Sequence, residues 1–352
     1  MAITVVIGGQ FGSEGKGKVC GFLAEQTPTS IMVRCGGPNS GHTVYKDDQP
    51  CVFRQLPVGA VVSNCRLLIP AGGYLSIPVL QEEIAKYKID PKRIGIDRNT
   101  MVVTQSHIEQ EMQLGLSEKI GSTKSGTGAA TADRVLRDPN VKLVKDFPEL
   151  KSYLTDVAEE VYKANQSQQN VIIEGTQGSG LSIFHTPEYP YATGRDTNAA
   201  GFISEVGISP RDVTDIVMVL RAFPIRVAGN SGPLPNETDW EHISKLSGGQ
   251  REIKEFTTVT GKERRVGYFD SAVVKRAIQI NGPTTIFMNH LDYLEKNTFG
   301  SAQQLSESKI IYDFVKTVEN EIDKKIDFIG FGPKTKDLIK GRTFVVGGVN
   351  SG

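Results

Sequence analysis

The sequence carries no surplus of charge. Its 40 Lys and Arg balance 40 Asp and Glu, so bulk electrostatics give no support for a nucleic-acid or anionic-membrane partner. Any basic cluster must be assembled by folding. Long apolar runs are missing, and none approaches the roughly 20 residues that span a bilayer. The N-terminus lacks a charged segment followed by an apolar one, so no secretory signal is read and a cytoplasmic protein is expected. Cysteine is scarce. Cys20, Cys35, Cys51 and Cys65 show no metal-type clustering, and in a reducing compartment they are expected to be free thiols. There is no internal repeat, no low-complexity tract and no linker rich in Pro or Ser. A single domain over residues 1–352 is expected.

What the chain does have is glycine, 37 of them, together with short apolar runs. Ile3–Ile7, Ile31–Arg34, Leu67–Ile69, Val171–Ile173, Ile216–Leu220, Thr284–Met288 and Phe344–Val346 read as buried strands. Helical patterns lie between many of them. Pro78 to Tyr87 begins with proline in its first turn. Asp146 to Ala164 spaces Leu150, Leu154, Val157 and Val161 along one helix face, and Lys309 to Ile322 repeats this with Ile310, Phe314, Val318 and Ile322. Alternation of this kind predicts an α/β fold with a mainly parallel central sheet covered by helices on both faces. The segments 36–65, 121–131, 175–200 and 228–266 read as loops too long for mere connection, which suits binding.

The most informative segment is the first turn, Ile7-Gly8-Gly9-Gln10-Phe11-Gly12-Ser13-Glu14-Gly15-Lys16-Gly17-Lys18. It follows an apolar strand. Five glycines from Gly8 to Gly17 allow a tight turn that presents backbone N–H groups to an anion. Lys16 adds positive charge. The ordinary phosphate loop, G-x-x-x-x-G-K-[ST], is not matched. Five residues, not four, separate Gly9 from Gly15, and Gly17 stands where a magnesium-binding hydroxyl would be.

This loop resembles the G-x-Q-W-G-D-E-G-K-G-K of adenylosuccinate synthetases, and further segments follow in the same order. Arg34-Cys35-Gly36-Gly37-Pro38-Asn39-Ser40-Gly41-His42-Thr43 is similar to R-x-x-G-G-x-N-A-G-H-T. Gly121-Ser122-Thr123 through Arg137 resembles the T-T-G-R-G-I-G-P segment that ends on an arginine. Glu174-Gly175-Thr176-Gln177-Gly178 is similar to E-G-A-Q-G, and Thr260 to Tyr268 to T-G-R-x-R-R-x-G-W. Asn289-His290-Leu291-Asp292 sits where that family has T-K-L-D. The resemblance covers residues 3 to about 348.

The resemblance implies residue roles. Gly12, Glu14, Gly15, Lys16, Gly17, Lys18, Gly41, His42 and Thr43 would hold a nucleoside triphosphate, with Asn289, His290, Asp292, Gly347 and Gly348 around its base. His42 would be the acid, donating to the purine 6-oxygen or to the transferring phosphoryl group. Asn39, Ser122, Thr123, Arg137, Gln177 and Thr193 would bind the nucleoside monophosphate, with Arg137 contributed by the other subunit of a homodimer. Val259, Thr260, Lys262 and Arg264 would clamp L-aspartate. Mg2+ is implied, with Ser13 and the Gly41 carbonyl as its protein oxygens. Ser13, Lys16, His42 and Gln177 would be the catalytic set. A nucleotide-binding regulatory protein is the alternative of another class, and loss of the family's base at Ser13 also leaves an inactive relative open.

The departures bear on the substrate. Where the family has aspartate, which takes the N1 proton of IMP and ligates magnesium, this chain has Ser13. A serine hydroxyl does not ionise near neutral pH. It is shorter and neutral, and it can accept from a 2-amino group that guanine nucleotides carry and IMP lacks. The pattern resembles a phage-type branch of the family that acts on dGMP in the synthesis of diaminopurine nucleotides. An ordinary enzyme using IMP and GTP is the alternative. Lys262 replaces an arginine, turning a bidentate carboxylate contact into a point charge. His290 replaces the family's lysine and the terminal G-P-D-R is reduced. Both changes point to ATP or dATP rather than GTP, while retention of Asp292 points the other way.

Overall fold

The computed structural model describes residues 2–248, 252–257 and 261–341. Among these, one ten-stranded sheet organises the chain. From one edge to the other its strands are Leu338–Lys340, Phe328–Gly330, Thr285–Asn289, Val213–Arg221, Ile3–Gly8, Asn170–Glu174, Thr29–Arg34, Arg66–Ile69, Ile94–Asp97 and Leu154–Thr155. Neighbours pair parallel throughout, except that Leu338–Lys340 runs antiparallel to Phe328–Gly330. Ile3–Gly8 lies at the centre and consists of residues that bury on both faces. Ile3, Val5 and Ile7 join one apolar layer with Phe202, Trp240 and Ile311, while Val6 joins the other with Val19, Phe53 and Leu67.

Several helices follow the sequence pattern closely. Ile77–Tyr87 carries proline in its first turn. Lys309–Ile322 starts at Ser308, whose hydroxyl accepts from Ile311 N at 3.1 Å. Its buried face is Ile311, Val315, Val318 and Ile322. Val318 and Ile322 are buried as expected, whereas Ile310 is 56% exposed and the first half of the stripe is displaced by one residue, to Ile311 and Val315.

The helix expected over Asp146–Ala164 is not continuous. Pro148–Tyr153 forms 3-10 turns, Leu154–Thr155 becomes the edge strand, and the helix proper is Val157–Gln166. Pro148 opens the 3-10 turns, where its missing N–H is tolerated, and pairing of Leu154–Thr155 with Ile96–Asp97 breaks the segment. Asp156 then caps the new start by accepting from Glu159 N at 2.9 Å. All four expected loops are partly regular; 175–200 holds the 3-10 turn Ser179–Leu181 and the start of helix Ala199–Val206. A hairpin, His42–Lys46 with Gln49–Phe53, and a short helix, Gly59–Val62, fill much of 36–65. Helix Thr127–Leu136 takes the end of 121–131, and helix Trp240–Leu246 lies within 228–266. The strand expected at Phe344–Val346 lies outside the described residues.

The four cysteines are free and buried. No helix among the described residues is long and apolar enough to cross a membrane.

Candidate active site

The carboxyl ends of the central strands converge on one place. Gly8, Arg34, Glu174, Arg221 and Asn289 each end a strand, and the last four are buried polar residues. Parallel sheets bind ligands at this end. A cleft of about 1320 Å³ opens there, large enough for more than one small substrate.

The first loop forms its floor and then enters helix Lys16–Gln26. Gly12 and Gly15 have φ of 92° and 91°, and Ser13 is held left-handed at 58°. The Glu14 carboxylate folds the loop around itself. Its Oε1 accepts from Gly12 N at 2.8 Å and Gln10 N at 3.2 Å, and its Oε2 accepts from Lys16 Nζ at 2.6 Å. Lys16 also donates to the Gln177 carbonyl. Gly17 has a packing reason to lack a side chain: a Cβ there would lie 2.7 Å from the Thr43 carbonyl oxygen. The His42–Lys46 strand therefore sits close on the helix start, where an ordinary phosphate loop would carry its hydroxyl.

His42 belongs to a buried cluster. Its Nδ1 lies 2.6 Å from Glu174 Oε1, and Arg34 Nη1 lies 2.7 Å from both. A carboxylate can only accept and a guanidinium only donate; with Arg34 Nη1 donating to Glu174, the proton placed on Nδ1 completes the contact to the carboxylate and leaves Nε2 as the ring's free nitrogen. Burial and then the Arg34 charge lower the His42 pKa to about 3. The resting ring is neutral. Burial alone would raise Glu174, but the His42 hydrogen bond and Arg34 outweigh it and hold the carboxyl below its ordinary range.

Across the cleft, Gln177 Nε2 donates to Thr193 Oγ1 at 2.7 Å. Ser122 donates its only proton to Glu111, which also accepts from Gly126 N. While Glu111 is ionised, Ser122 has no proton to offer a phosphate; Thr123 is tied instead to Ser125 Oγ at 3.1 Å. Burial raises the Glu111 pKa. Near the far wall, Asn289 Nδ2 donates to the Glu14 carbonyl at 2.8 Å. Its Oδ1, like His290 Nδ1, is buried without a hydrogen-bond partner among the described residues. Burial, then Arg221, keeps His290 neutral. Lys18 donates to the Gly332 carbonyl at 2.9 Å. Burial lowers Lys18 to about 8 against the pull of Asp292 and Asp337, and raises Asp292 to about 6 against Lys18.

The cleft brings together Gly12, Ser13, Gly15, Lys16, Gly17 and Lys18 with Asn39, Gly41, His42 and Thr43. Ser122, Thr123, Gln177, Thr193, Lys262, Arg264, Asn289 and His290 line it as well. The side chains of Glu14 and Asp292 are buried behind its wall. Arg137, at the C-terminus of helix Thr127–Leu136, lies outside it in a separate pocket with Arg134 and Lys145. Val259, Thr260, Gly347 and Gly348 fall outside the described residues.

Residues that the sequence reading did not assign also shape the site: Arg34, Glu111, Glu174, Arg221 and Glu255. A charged residue closing an apolar strand, as Arg34, Glu174 and Arg221 do, is the signal that was available. For magnesium, Ser13 and the Gly41 carbonyl offer neutral hard oxygens. Among the described residues no cluster of three His, Cys, Asp or Glu could hold an ion alone. Magnesium commonly takes one or two protein oxygens together with substrate phosphates and water. This donor set fits an ion brought in by a triphosphate.

The family model for adenylosuccinate synthetase matches residues 5–145 and 140–299. The chain belongs to the adenylosuccinate synthetase family. It is 39% identical over 344 residues to the enzyme of Methanococcus vannielii, covering 96% of this chain and 98% of that one. The Archaeoglobus fulgidus enzyme is 38% identical over 341 residues, with the same coverage. Adenylosuccinate synthetase from Plasmodium falciparum has the same fold, with a TM-score of 0.84 at 20% identity over 97% of this chain and 100% of that chain. The cyanophage S-2L succinoaminodeoxyadenylate synthetase, solved with dGMP and with dATP as energy donor, gives a TM-score of 0.79 at 28% identity, covering 96% and 95%. As a member of the family, the protein is a C–N ligase of purine biosynthesis that forms adenylosuccinate-type products.

Proposed function

We propose that this adenylosuccinate synthetase family member joins L-aspartate to C6 of dGMP, giving a succinylated 2-amino-deoxyadenylate. The observation that carries the reading is Ser13. It replaces the family's aspartate in a loop that lines the cleft. A carboxylate there would suit N1 of IMP, whereas a short neutral hydroxyl leaves room beside the purine 2-position and can accept from an amino group. The likeness to the S-2L enzyme, solved with dGMP, supports this. The archaeal relatives, named adenylosuccinate synthetases at 38–39% identity, favour a second reading in which IMP is the substrate.

The chemistry runs in two steps. The γ-phosphoryl group of the triphosphate moves to the purine 6-oxygen, breaking its bond to the β-phosphate, while the N1 proton of the purine is lost to water. The amine of L-aspartate then attacks C6, phosphate leaves, and the amine gives up a proton. Lys16 leaves its Glu14 and Gln177 partners for the phosphoryl oxygens and stabilises charge there. His42, neutral at rest, takes up a proton at Nε2 as negative charge enters the cleft, and donates it to the developing anion. Magnesium neutralises the triphosphate when bound.

Asn289 Oδ1, a buried acceptor without a partner among the described residues, and His290 Nδ1, which accepts when the ring proton is on Nε2, suit the exocyclic amine of adenine in ATP or dATP. Arg137 acts in the cleft of a second subunit in a homodimer. The test is a panel of IMP, GMP and dGMP, each with L-aspartate and ATP, read by product mass. Succinylated product from dGMP supports the reading. Robust product from IMP with none from dGMP refutes it. Phosphate release that ignores L-aspartate would mark a nucleotide switch and not a ligase.

A further inference from the structure

A second buried cluster links two parts of the cleft that the motifs treat separately. Arg221, fully buried at the end of its strand, is fixed through its backbone. Its N–H donates to Gln10 Oε1 at 2.9 Å and its carbonyl accepts from Gln10 Nε2 at 3.1 Å. Its Nη1 donates to the Ser13 carbonyl at 3.0 Å. Both its terminal nitrogens also reach the Glu255 carboxylate, Nη1 to Oε2 at 3.2 Å and Nη2 to Oε1. Glu255 in turn accepts from Arg264 Nη1 at 2.8 Å and from the Tyr293 hydroxyl at 3.0 Å. The Arg264 N–H donates to the Glu255 carbonyl at 2.8 Å, so the two residues face each other across the base of one turn.

The charge count matters. Two guanidinium groups share one carboxylate, which leaves one positive charge in excess where Glu255 and Arg264 line the cleft. Arg221 Nε and Arg264 Nε are buried with no hydrogen-bond partner among the described residues. The cluster is therefore short of acceptors, and at Arg264, which lines the cleft, an incoming carboxylate supplies one.

We propose that Glu255 is a positioning residue for L-aspartate: it holds the Arg264 guanidinium at the amino-acid subsite and ties that segment, through Arg221, to the backbone of Ser13. This rests on the reading of Arg264 as a partner of the aspartate carboxylate. Both Glu255 oxygens are in use, each by two donors. A glutamine would keep one oxygen and turn an NH2 toward guanidinium N–H groups. With that NH2 at the Oε2 position both Nη1 groups lose their acceptor, and with it at Oε1 only Arg221 Nη2 and Tyr293 do. In either orientation the neutral amide removes the charge that holds Arg264, whose one contact to this carboxylate is weaker than the two of Arg221.

The test is steady-state kinetics on the full protein, varying each of the three substrates in turn. Glu255→Gln should raise KM for L-aspartate about tenfold or more. Its kcat should stay within about threefold, and KM for both nucleotides within about twofold, because their contacts are untouched. Tyr293→Phe removes one hydrogen bond from a neutral donor to Glu255, leaving both arginines paired, and should raise the aspartate KM about two- to fivefold. An unchanged aspartate KM in Glu255→Gln overturns the proposal. If Glu255→Gln loses all activity, Tyr293→Phe decides, and an unchanged aspartate KM there overturns it. Arg264→Ala separates the two ideas. If it leaves aspartate KM unchanged, the reading of Arg264 is wrong and the proposal falls with it. If it raises aspartate KM while Glu255→Gln does not, only the positioning role is wrong.

Discussion

Acidifying the ligand-free protein should expose the cost of keeping His42 neutral. In the folded state its pKa is lowered from 6.5 to about 3 by burial and by Arg34. In the unfolded chain the ring takes a proton at its ordinary value. Between those two values the unfolded state binds the extra proton, so stability falls as pH falls. Each pH unit is worth about 1.4 kcal/mol. From pH 7 to pH 5 the ring crosses about 1.5 units of that window, so His42 alone should cost about 2 kcal/mol. The assay is urea unfolding at both pH values for the wild type and for His42→Asn. His107 and His290 are also held low, but they are present in both proteins and cancel in the difference. The wild type should lose about 2 kcal/mol more than the variant. Equal losses would show that His42 is protonated in the folded state and that the neutral-ring account is wrong.

Lys16→Ala and His42→Ala should each lower kcat about a hundredfold or more while changing nucleotide KM far less, since both act on charge that develops during the reaction; near-normal turnover of either would remove its role. Arg137→Ala should weaken monophosphate binding in a titration and spare the triphosphate. Mixing it with Lys16→Ala should restore some activity, and a monomer by sedimentation with all ligands present would contradict the shared site. With dGMP and L-aspartate saturating, kcat/KM for ATP or dATP should exceed that for GTP by roughly tenfold, the size of one mismatched buried polar edge; a clear GTP preference would mean that Asp292 governs the base pocket.

The central strand and its glycine turn are legible in the sequence because both signals are local. An apolar run ends, glycines follow, and a lysine sits at the helix start. The helix Lys309–Ile322 is legible to the residue in its ends, yet its buried face is shifted. Ile310 and Ile311 are equally apolar, and only packing decides which turns inward. Asp146–Ala164 misleads because its apolar spacing runs straight through Leu154–Thr155, which pairs with Ile96–Asp97 at the sheet edge instead. The clusters around His42 and Glu255 were beyond reach for another reason. Arg34 and Glu174 are 140 residues apart, and Glu255 and Arg221 are 34 apart. The first pairing is set by two strands that lie adjacent in the sheet, and the second by a loop that folds back over the end of another strand. Glu111 and Ser122 are close in sequence, but nothing in their spacing says that the hydroxyl proton is already committed.

The claim that Ser13 selects the purine is tested most directly by competition. Equimolar dGMP and IMP are given to one sample of the protein with L-aspartate and ATP, and the two succinylated products, which differ in mass by the 2-amino group, are counted early in the reaction. The same mixture is given to Ser13→Asp. The account predicts that the 2-amino product dominates with the natural protein and that the ratio shifts toward the IMP product in the variant. A natural protein that yields mainly the IMP product, or a ratio that Ser13→Asp leaves unmoved, would contradict it.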